Sequence, residues 1–210
     1  TLNPSSAASD VYKRQGYESG RRIEFTNQDL IEIKEKFNSE VEDIVVRNTF
    51  YNQIKYKDKS NQYQVRAVSP GHKEAENTIL MSGRYFHEGD IENRKKYAVI
   101  GRLVAQDLFE GKDPIGEYIF GSDHSWRVIG VFQDEGGDRE ERMLYVPYTA
   151  MQEIQKNSDK INQMIVIYNS EMTYDESLLL EKELEVYLKN KKTISPDDNR
   201  GVYILSLIHI

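Results

Sequence analysis

The chain has 210 residues, 28 Lys plus Arg against 35 Asp plus Glu, a net charge of −7 and no cysteine. The length suits one ordinary domain or two small subdomains with a real core, and the acidic balance argues against a nucleic-acid partner, which needs a clustered positive field. The lack of Cys removes disulfides, thiol nucleophiles and thiolate metal sites together, and no run approaches the roughly 20 apolar residues of a membrane-spanning helix.

The two ends stand apart from the rest. Ser5–Gln15 reads SSAASDVYKRQ and Leu205–Ile210 reads LSLIHI. LSLIHI can be written CTG TCT CTT ATA CAC ATC, whose reverse complement encodes DVYKRQ, the peptide at Asp10–Gln15. Both match the end of a transposon adapter used in preparing sequencing libraries. Residues 1–15 and 205–210 are therefore expected to be adapter-derived and are set aside from fold reasoning, leaving Gly16–Ile204 open at both ends. A cleavable signal peptide would need an apolar stretch that Thr1–Gln15 lacks.

Glu18–Glu24 is polar and carries Arg21-Arg22, an exposed lead-in. Thr26 followed by Asp29 resembles a capping box with Asp in place of Glu or Gln, and Leu30, Ile33 and Phe37 form one apolar stripe, so a helix is predicted over about Asn27–Phe37. Val41–Phe50 and Gln53–Lys57 are strand-like. Asp58-Lys59-Ser60-Asn61 reads as a turn into Tyr63–Val68, whose alternating Tyr63, Val65 and Ala67 fit a half-buried strand. Thr78–Met81 is another short strand.

Tyr97–Ile100 is an apolar run entering a helical pattern in which Leu103, Val104, Leu108 and Phe109 share a face. Gly111 stands where a left-handed C′ residue is expected, and Asp113-Pro114-Ile115-Gly116 has Asp, Pro and Gly at the first, second and fourth places of a type I turn. Glu117–Phe120 and Trp126–Phe132 flank Gly121–Ser125 as a hairpin. On its second strand Trp126, Val128, Gly130 and Phe132 fall on one face and Ile129 and Val131 on the other, so both faces are apolar and the strand is expected to be central.

Gln133–Arg142, QDEGGDREER, has no apolar residue and reads as a solvated tip or mobile loop. Met143–Val146 restores a strand, Pro147 ends it, and Thr149–Lys156 reads as a short helix. Asn157–Lys160 is a polar linker before the strand Met164–Tyr168. Thr173 with Glu176 is a full capping box for a helix with Leu180, Leu184 and Leu188 at four-residue spacing, and Lys189–Lys192 offset its dipole. Asp197-Asp198-Asn199 is a loop, and Val202–Ile204 begins a strand.

The predicted class is α+β with two lobes. Residues 16–81 and 159–204 make one strand-helix-strand assembly, and residues 82–158 form a smaller β-rich lobe inserted in it. Five motifs in order within Gly83–Pro147 carry a family resemblance: GRYF with Gly89-Asp90 after it, AVIG, LFEGKDPIG, WRVIGVF, and the YVP that opens the next helix. Together they resemble the MacB-like periplasmic core domain, the extracytoplasmic part of ABC transporter permeases that also carry an FtsX-like membrane region. The resemblance implies a porter-like first assembly in a non-catalytic domain on the periplasmic face of the inner membrane. It implies placement between a first membrane helix and the remaining ones, and movement driven by a partner ABC ATPase domain or subunit. A homodimeric or heterodimeric permease is implied too, with a periplasmic adaptor and outer-membrane channel or a lipid-linked cargo.

Each reactive-looking cluster has a structural explanation. His87, Glu88 and Asp90 lack the one-sided spacing of H-E-x-x-H and read as a turn, and Asp123-His124 reads as a hairpin loop. Asp134, Glu135, Asp138, Glu140 and Glu141 lack the spaced order of a calcium loop. Gly111-Lys112 is followed by Asp113 and has Gln106 at the upstream glycine position, and Gly101 is a single glycine, so neither nucleotide motif is present. G-x-S-x-G is absent, and His72, His87 and His124 are the only histidines within Gly16–Ile204. No catalytic, cofactor or metal residue is assigned. Two other classes remain open: a secreted or periplasmic ligand-binding module using Tyr51, Tyr56, Tyr63 or the Gln133–Arg142 loop, and a small periplasmic hydrolase centred on His87.

Overall fold

The computed structural model describes residues 24–121 and 123–193. The expected lead-in before Glu24, the loop at Asp197–Asn199 and the strand at Val202–Ile204 lie outside the described residues.

Phe25–Thr26 (β1) leads into Asn27–Lys36 (α1), where the Thr26 hydroxyl accepts from the Asp29 amide and the Asp29 carboxylate accepts from the Thr26 amide. The two predicted strands that follow are one, Val41–Tyr56 (β2), hairpinned to Lys59–Val68 (β3) with Tyr56 opposite Lys59. The turn is therefore Lys57-Asp58, earlier than predicted, and Lys57 takes φ 51. Outward Tyr51, Gln53 and Lys55 had disguised a strand whose inward Ile54 and Tyr56 are buried.

Two short helices, His72–Ala75 (α2) and Glu88–Glu92 (α3), flank Ile79–Gly83 (β4). Both are too short to show a helical period. Tyr97–Gly101 (β5) runs into Arg102–Phe109 (α4), whose Leu103, Val104, Leu108 and Phe109 are all buried. The helix ends with Glu110 at φ 52 and Gly111 at φ 84. The next reversal differs from the expected type I turn. Glu117 N–H donates to the Pro114 carbonyl at 3.1 Å, which puts Gly116, at φ 87, in the third place, where type II turns require positive φ. Asp113 supports it by accepting from the Ile115 amide at 2.9 Å.

Tyr118–Gly121 (β6) and His124–Gln133 (β7) form the predicted hairpin. A short 3₁₀ turn at Glu140–Arg142 precedes Met143–Pro147 (β8), Tyr148–Ile154 (α5), Lys160–Ile161 (β9), Gln163–Tyr168 (β10) and Tyr174–Lys191 (α6). Within this mixed α+β fold no described helix is long and apolar enough to cross a membrane.

Among the described residues, eight strands share one sheet in the order β10-β2-β3-β8-β5-β7-β4, and β6 pairs with both β7 and β2. The contact of Lys55 with Phe120 closes β2, β3, β8, β5, β7 and β6 into a ring. Inside it Ile54, Tyr63, Val65, Ile100, Ile119, Trp126, Val128 and Leu144 pack with Leu108 and Phe109 of α4. At the other end of β2, Ile44 packs with Ile33 and Phe37 of α1 and with Leu180, Leu184 and Leu188 of α6. A third cluster joins Tyr85, Phe86, Val99, Ile129, Phe132 and Tyr145. The β2–β3 hairpin thus serves the ring as well as the helical end, so the packing does not follow a break between residues 81 and 82.

β7 is central, as expected, but its faces are not those of a regular strand. The register against β5 slips between Ala98 and Val99, where Val128 and Gly130 are the consecutive partners. Ile129 is the extra residue of a bulge, which reverses the alternation. Val131 consequently joins Trp126 and Val128 in the ring, while Phe132 joins Ile129 in the third cluster.

Candidate functional site

The clusters singled out from the sequence are occupied with structural work. Asp90 is buried and accepts from Arg84 through Nη1 at 2.6 Å and Nη2 at 3.1 Å, and from the His87 amide at 3.2 Å. Burial alone would raise its pKa, but these hydrogen bonds and the Arg84 charge hold it below the usual carboxylate value. The carboxylate fastens the loop after β4 to the start of α3, while Glu88 lies exposed on that helix. Asp123 sits at φ 59 in the β6–β7 turn, next to His124.

The Gln133–Arg142 stretch is not simply a solvated tip. Glu141 is buried, receives Arg102 Nη2 at 2.5 Å and accepts from the Asp134 amide at 3.4 Å. Asp134 also accepts from the Gly136 amide at 2.7 Å. Gly101 makes the close approach possible, because a Cβ there would lie 2.1 Å from the Glu141 carbonyl oxygen. Among the described residues no three His, Asp or Glu side chains are grouped to hold a metal.

The fold does bring two sequence features together. Tyr51 and Tyr63 from the hairpin, with Asn61, Gln62 and Gln64, face Asp138, Arg139 and Arg142 across a groove of about 600 Å³, with Asp107 also in its lining. Tyr63 donates its hydroxyl to Asp107 at 3.1 Å, and Arg142 pairs with the same carboxylate. Burial pushes the Tyr63 hydroxyl up to about 12, and the Asp107 charge adds to this. Tyr56 lies elsewhere, inside the ring, tilted against Phe109 with its hydroxyl donating to Glu117 at 3.0 Å. Among the described residues no metal cluster lies in the lining of the groove. The groove offers an aromatic surface, amides and balanced charge, suited to binding.

A second constellation joins the first and last described helices. Asp29, 1% exposed, pairs with Lys191 at 2.8 Å and with Lys192 at 2.6 Å. Lys191 also pairs with Glu32, which accepts from Tyr187 at 3.0 Å and Gln28 at 3.0 Å. Burial pushes the Asp29 pKa up, but hydrogen bonds from Lys191, Lys192 and the Thr26 amide outweigh it and leave the value lowered. The acidic first turn of α1 thus meets the basic last turn of α6, each charge favourable to the dipole of its own helix and attracted to the other charge. Sequence reasoning had found the capping role of Asp29 and the dipole role of Lys189–Lys192 separately. It missed that they meet, because nothing local marks a contact between residues so far apart. The Tyr63–Asp107–Arg142 set was missed for the same reason.

Comparison with known proteins places these features in context. The model of the MacB-like periplasmic core domain family matches residues 2–177. The macrolide export ATP-binding/permease protein MacB of Bdellovibrio bacteriovorus is 35% identical over 138 residues, covering 64% of this chain and 21% of that protein. The pyoverdine export ATP-binding/permease protein PvdT of Pseudomonas syringae is 38% identical over 79 residues, covering 35% of this chain and 12% of that protein. The chain therefore spans about a fifth or less of these relatives. In fold it is similar to the periplasmic region of MacB from Actinobacillus actinomycetemcomitans, with TM-score 0.73 and 19% identity, covering 83% of this chain and 78% of that one. It is also similar to the extracellular domain of the noncanonic ABC-type transporter YknZ from Gram-positive bacteria, with TM-score 0.71 and 19% identity, covering 82% and 86%.

Proposed function

The chain belongs to the MacB-like periplasmic core domain family, and from that premise we propose that it is the extracytoplasmic part of an ABC transporter permease on the outer face of the inner membrane. Its task is to pass on a conformational change and not to make or break bonds. The observation that carries this is the junction of α1 with α6 through Asp29, Glu32, Lys191 and Lys192. A displacement applied where the chain enters at α1 is shared at once with the end of α6, so the domain moves as a rigid body, as hinge and shear transitions require.

The porter-like assembly, 16–81 with 159–204, and the inserted β-rich lobe, 82–158, then move together, because the β2–β3 hairpin of the first also packs into the core of the second. The partner that supplies the motion is an ABC ATPase domain or subunit, within a permease homodimer or heterodimer. A periplasmic adaptor and an outer-membrane channel are further proposed partners. Residues 1–15 and 205–210 are proposed to be adapter-derived, which sequencing the genomic locus tests directly. The same extension tests the main reading, since apolar spanning segments must flank Gly16–Ile204.

In the full permease, Asp29→Asn with Lys191→Met is expected to lower export several-fold while ATP hydrolysis continues. Export and hydrolysis falling together, or neither changing, would count against transmission through this junction. Nucleotide hydrolysis by the chain alone would count against the non-catalytic reading. A second reading, a secreted or periplasmic ligand-binding module, is favoured by the groove between Tyr51 and Arg139; a gene without flanking membrane segments would select it.

A further inference from the structure

Among the described residues, the first part of β3 has a strand neighbour on one side only. β2 pairs with the whole of Lys59–Val68, whereas β8 pairs with Gln64–Val68 alone. The chain ahead of Met143 turns away as the 3₁₀ turn at Glu140–Arg142, held there by Glu141 on Arg102. Across the Lys57-Asp58 turn, Tyr56 and Lys59 form a hydrogen-bonded pair, so Lys59, Asn61 and Tyr63 direct their main-chain groups to β2. Ser60, Gln62 and Gln64 direct theirs the other way. Gln64 meets β8, while Ser60 and Gln62 meet no other main chain among the described residues.

The groove of about 600 Å³ lies along this free edge, lined by Asn61, Gln62, Tyr63 and Gln64 on the strand side. We propose that it is a peptide slot in which an extended, uncharged segment of a partner protein adds a strand beside Lys59–Tyr63. Main-chain bonds to Ser60 and Gln62 hold the segment, as in other strand additions. The open stretch is about 16 Å long at the rise of a β-strand.

Charge selects the occupant. Arg142 is neutralised by Asp107, and Arg139 in the lining is balanced by its neighbour Asp138, so the groove offers no net charge to attract a charged segment. The amides of Asn61, Gln62 and Gln64 suit polar neutral side chains, and the Tyr51 ring, 63% exposed, gives an alternate side chain an apolar surface. Ser60–Tyr63 holds no Lys, Pro or bulge that would protect the edge from pairing, and the Lys59 at its end is paired with Glu110 at 2.8 Å. The slot does not depend on the transport reading, and its failure would leave that reading intact.

The test is a displayed library of random peptides panned on the full chain, followed by calorimetry with the enriched peptides made synthetically. Enriched sequences are expected to be uncharged and to bind equally at low and high salt. Binding is expected to weaken roughly tenfold or more when alternate peptide nitrogens are methylated, and similarly on Gln62→Pro. That substitution removes an outward N–H without touching the β2 ladder. Should Gln62→Pro not fold, the N-methyl series on the native chain decides alone. The proposal is overturned if nothing is enriched, if N-methylated peptides bind as well, or if the enriched peptides are charged and salt-sensitive. Self-association that Gln62→Pro abolishes would overturn it too, by making a second copy the occupant.

Discussion

His72 illustrates how a single side chain can carry a pH dependence without any catalytic part. It is fully buried, edge-on to the Tyr145 ring at 4.8 Å, with Nδ1 3.4 Å from the Tyr85 hydroxyl. Burial, with the charges of Arg66 and Arg47, lowers its pKa to about 3. The unfolded chain takes up this proton near the ordinary value of 6.5 while the folded chain does not, so its contribution is complete above that pH and declines as pH falls toward 3. The slope is about 1.4 kcal/mol per pH unit in that window. His72→Gln should flatten this part of the profile, measured by urea unfolding at several pH values. An unchanged slope would mean that the folded state protonates the ring after all. Asp29 and Asp90 act at lower pH, since their lowered values make their stabilisation present above the ordinary carboxylate pKa and lost as pH falls through the folded one.

Asp29→Asn should also cost about 2 kcal/mol even in the chain alone, because it weakens a capping box and removes one ion pair from each of two lysines. Thr26→Ala, which removes only the cap, should cost about 1 kcal/mol. Chemical denaturation of both variants separates the cap from the junction, and equal losses would show that the lysine pairs contribute nothing.

At the scale of elements, the contact of α4 with the 3₁₀ turn depends on a glycine. Gly101→Ala would drive a Cβ into the Glu141 backbone at 2.1 Å from its carbonyl oxygen, so the turn must lift and the Arg102 pair must open. A loss of about 1–3 kcal/mol is expected, seen as a lowered thermal midpoint with faster amide exchange at Glu140–Arg142. Protection unchanged in that turn would refute the clash. Helices α4 and α6 were legible, since Leu103, Val104, Leu108 and Phe109 repeat on one face, and Thr173 with Glu176 marks the start of α6. The faces of β7 were not legible. Its bulge arises from pairing with β5, a constraint that the alternation of Trp126–Phe132 does not contain.

For the whole molecule, the continuous sheet predicts one unfolding transition. β2 carries Ile44 in the helical core and Ile54 in the ring, so neither can lose order without disturbing the other's strand. Leu184→Ala in α6 should cost about 2–5 kcal/mol. It should lower the midpoint followed by Trp126 fluorescence, a ring probe 3% exposed, as much as the midpoint followed by helical circular dichroism. Separate midpoints would show two independently folding lobes.

What the amino-acid order determined unaided was local: the capping boxes at Thr26 and Thr173, the apolar stripes of α1, α4 and α6, the β6–β7 hairpin, and the motifs within Gly83–Pro147 that mark the family. These follow from periodicity and turn chemistry, which act over a few residues. The closure of the ring, the bulge in β7, the union of Asp29 with Lys191 and Lys192, and the open edge at Ser60 and Gln62 were decided by tertiary structure. Each requires strands or helices distant in sequence to choose one another as neighbours, and that choice depends on burying the combined apolar surface of the whole chain and not on the pattern of any one segment.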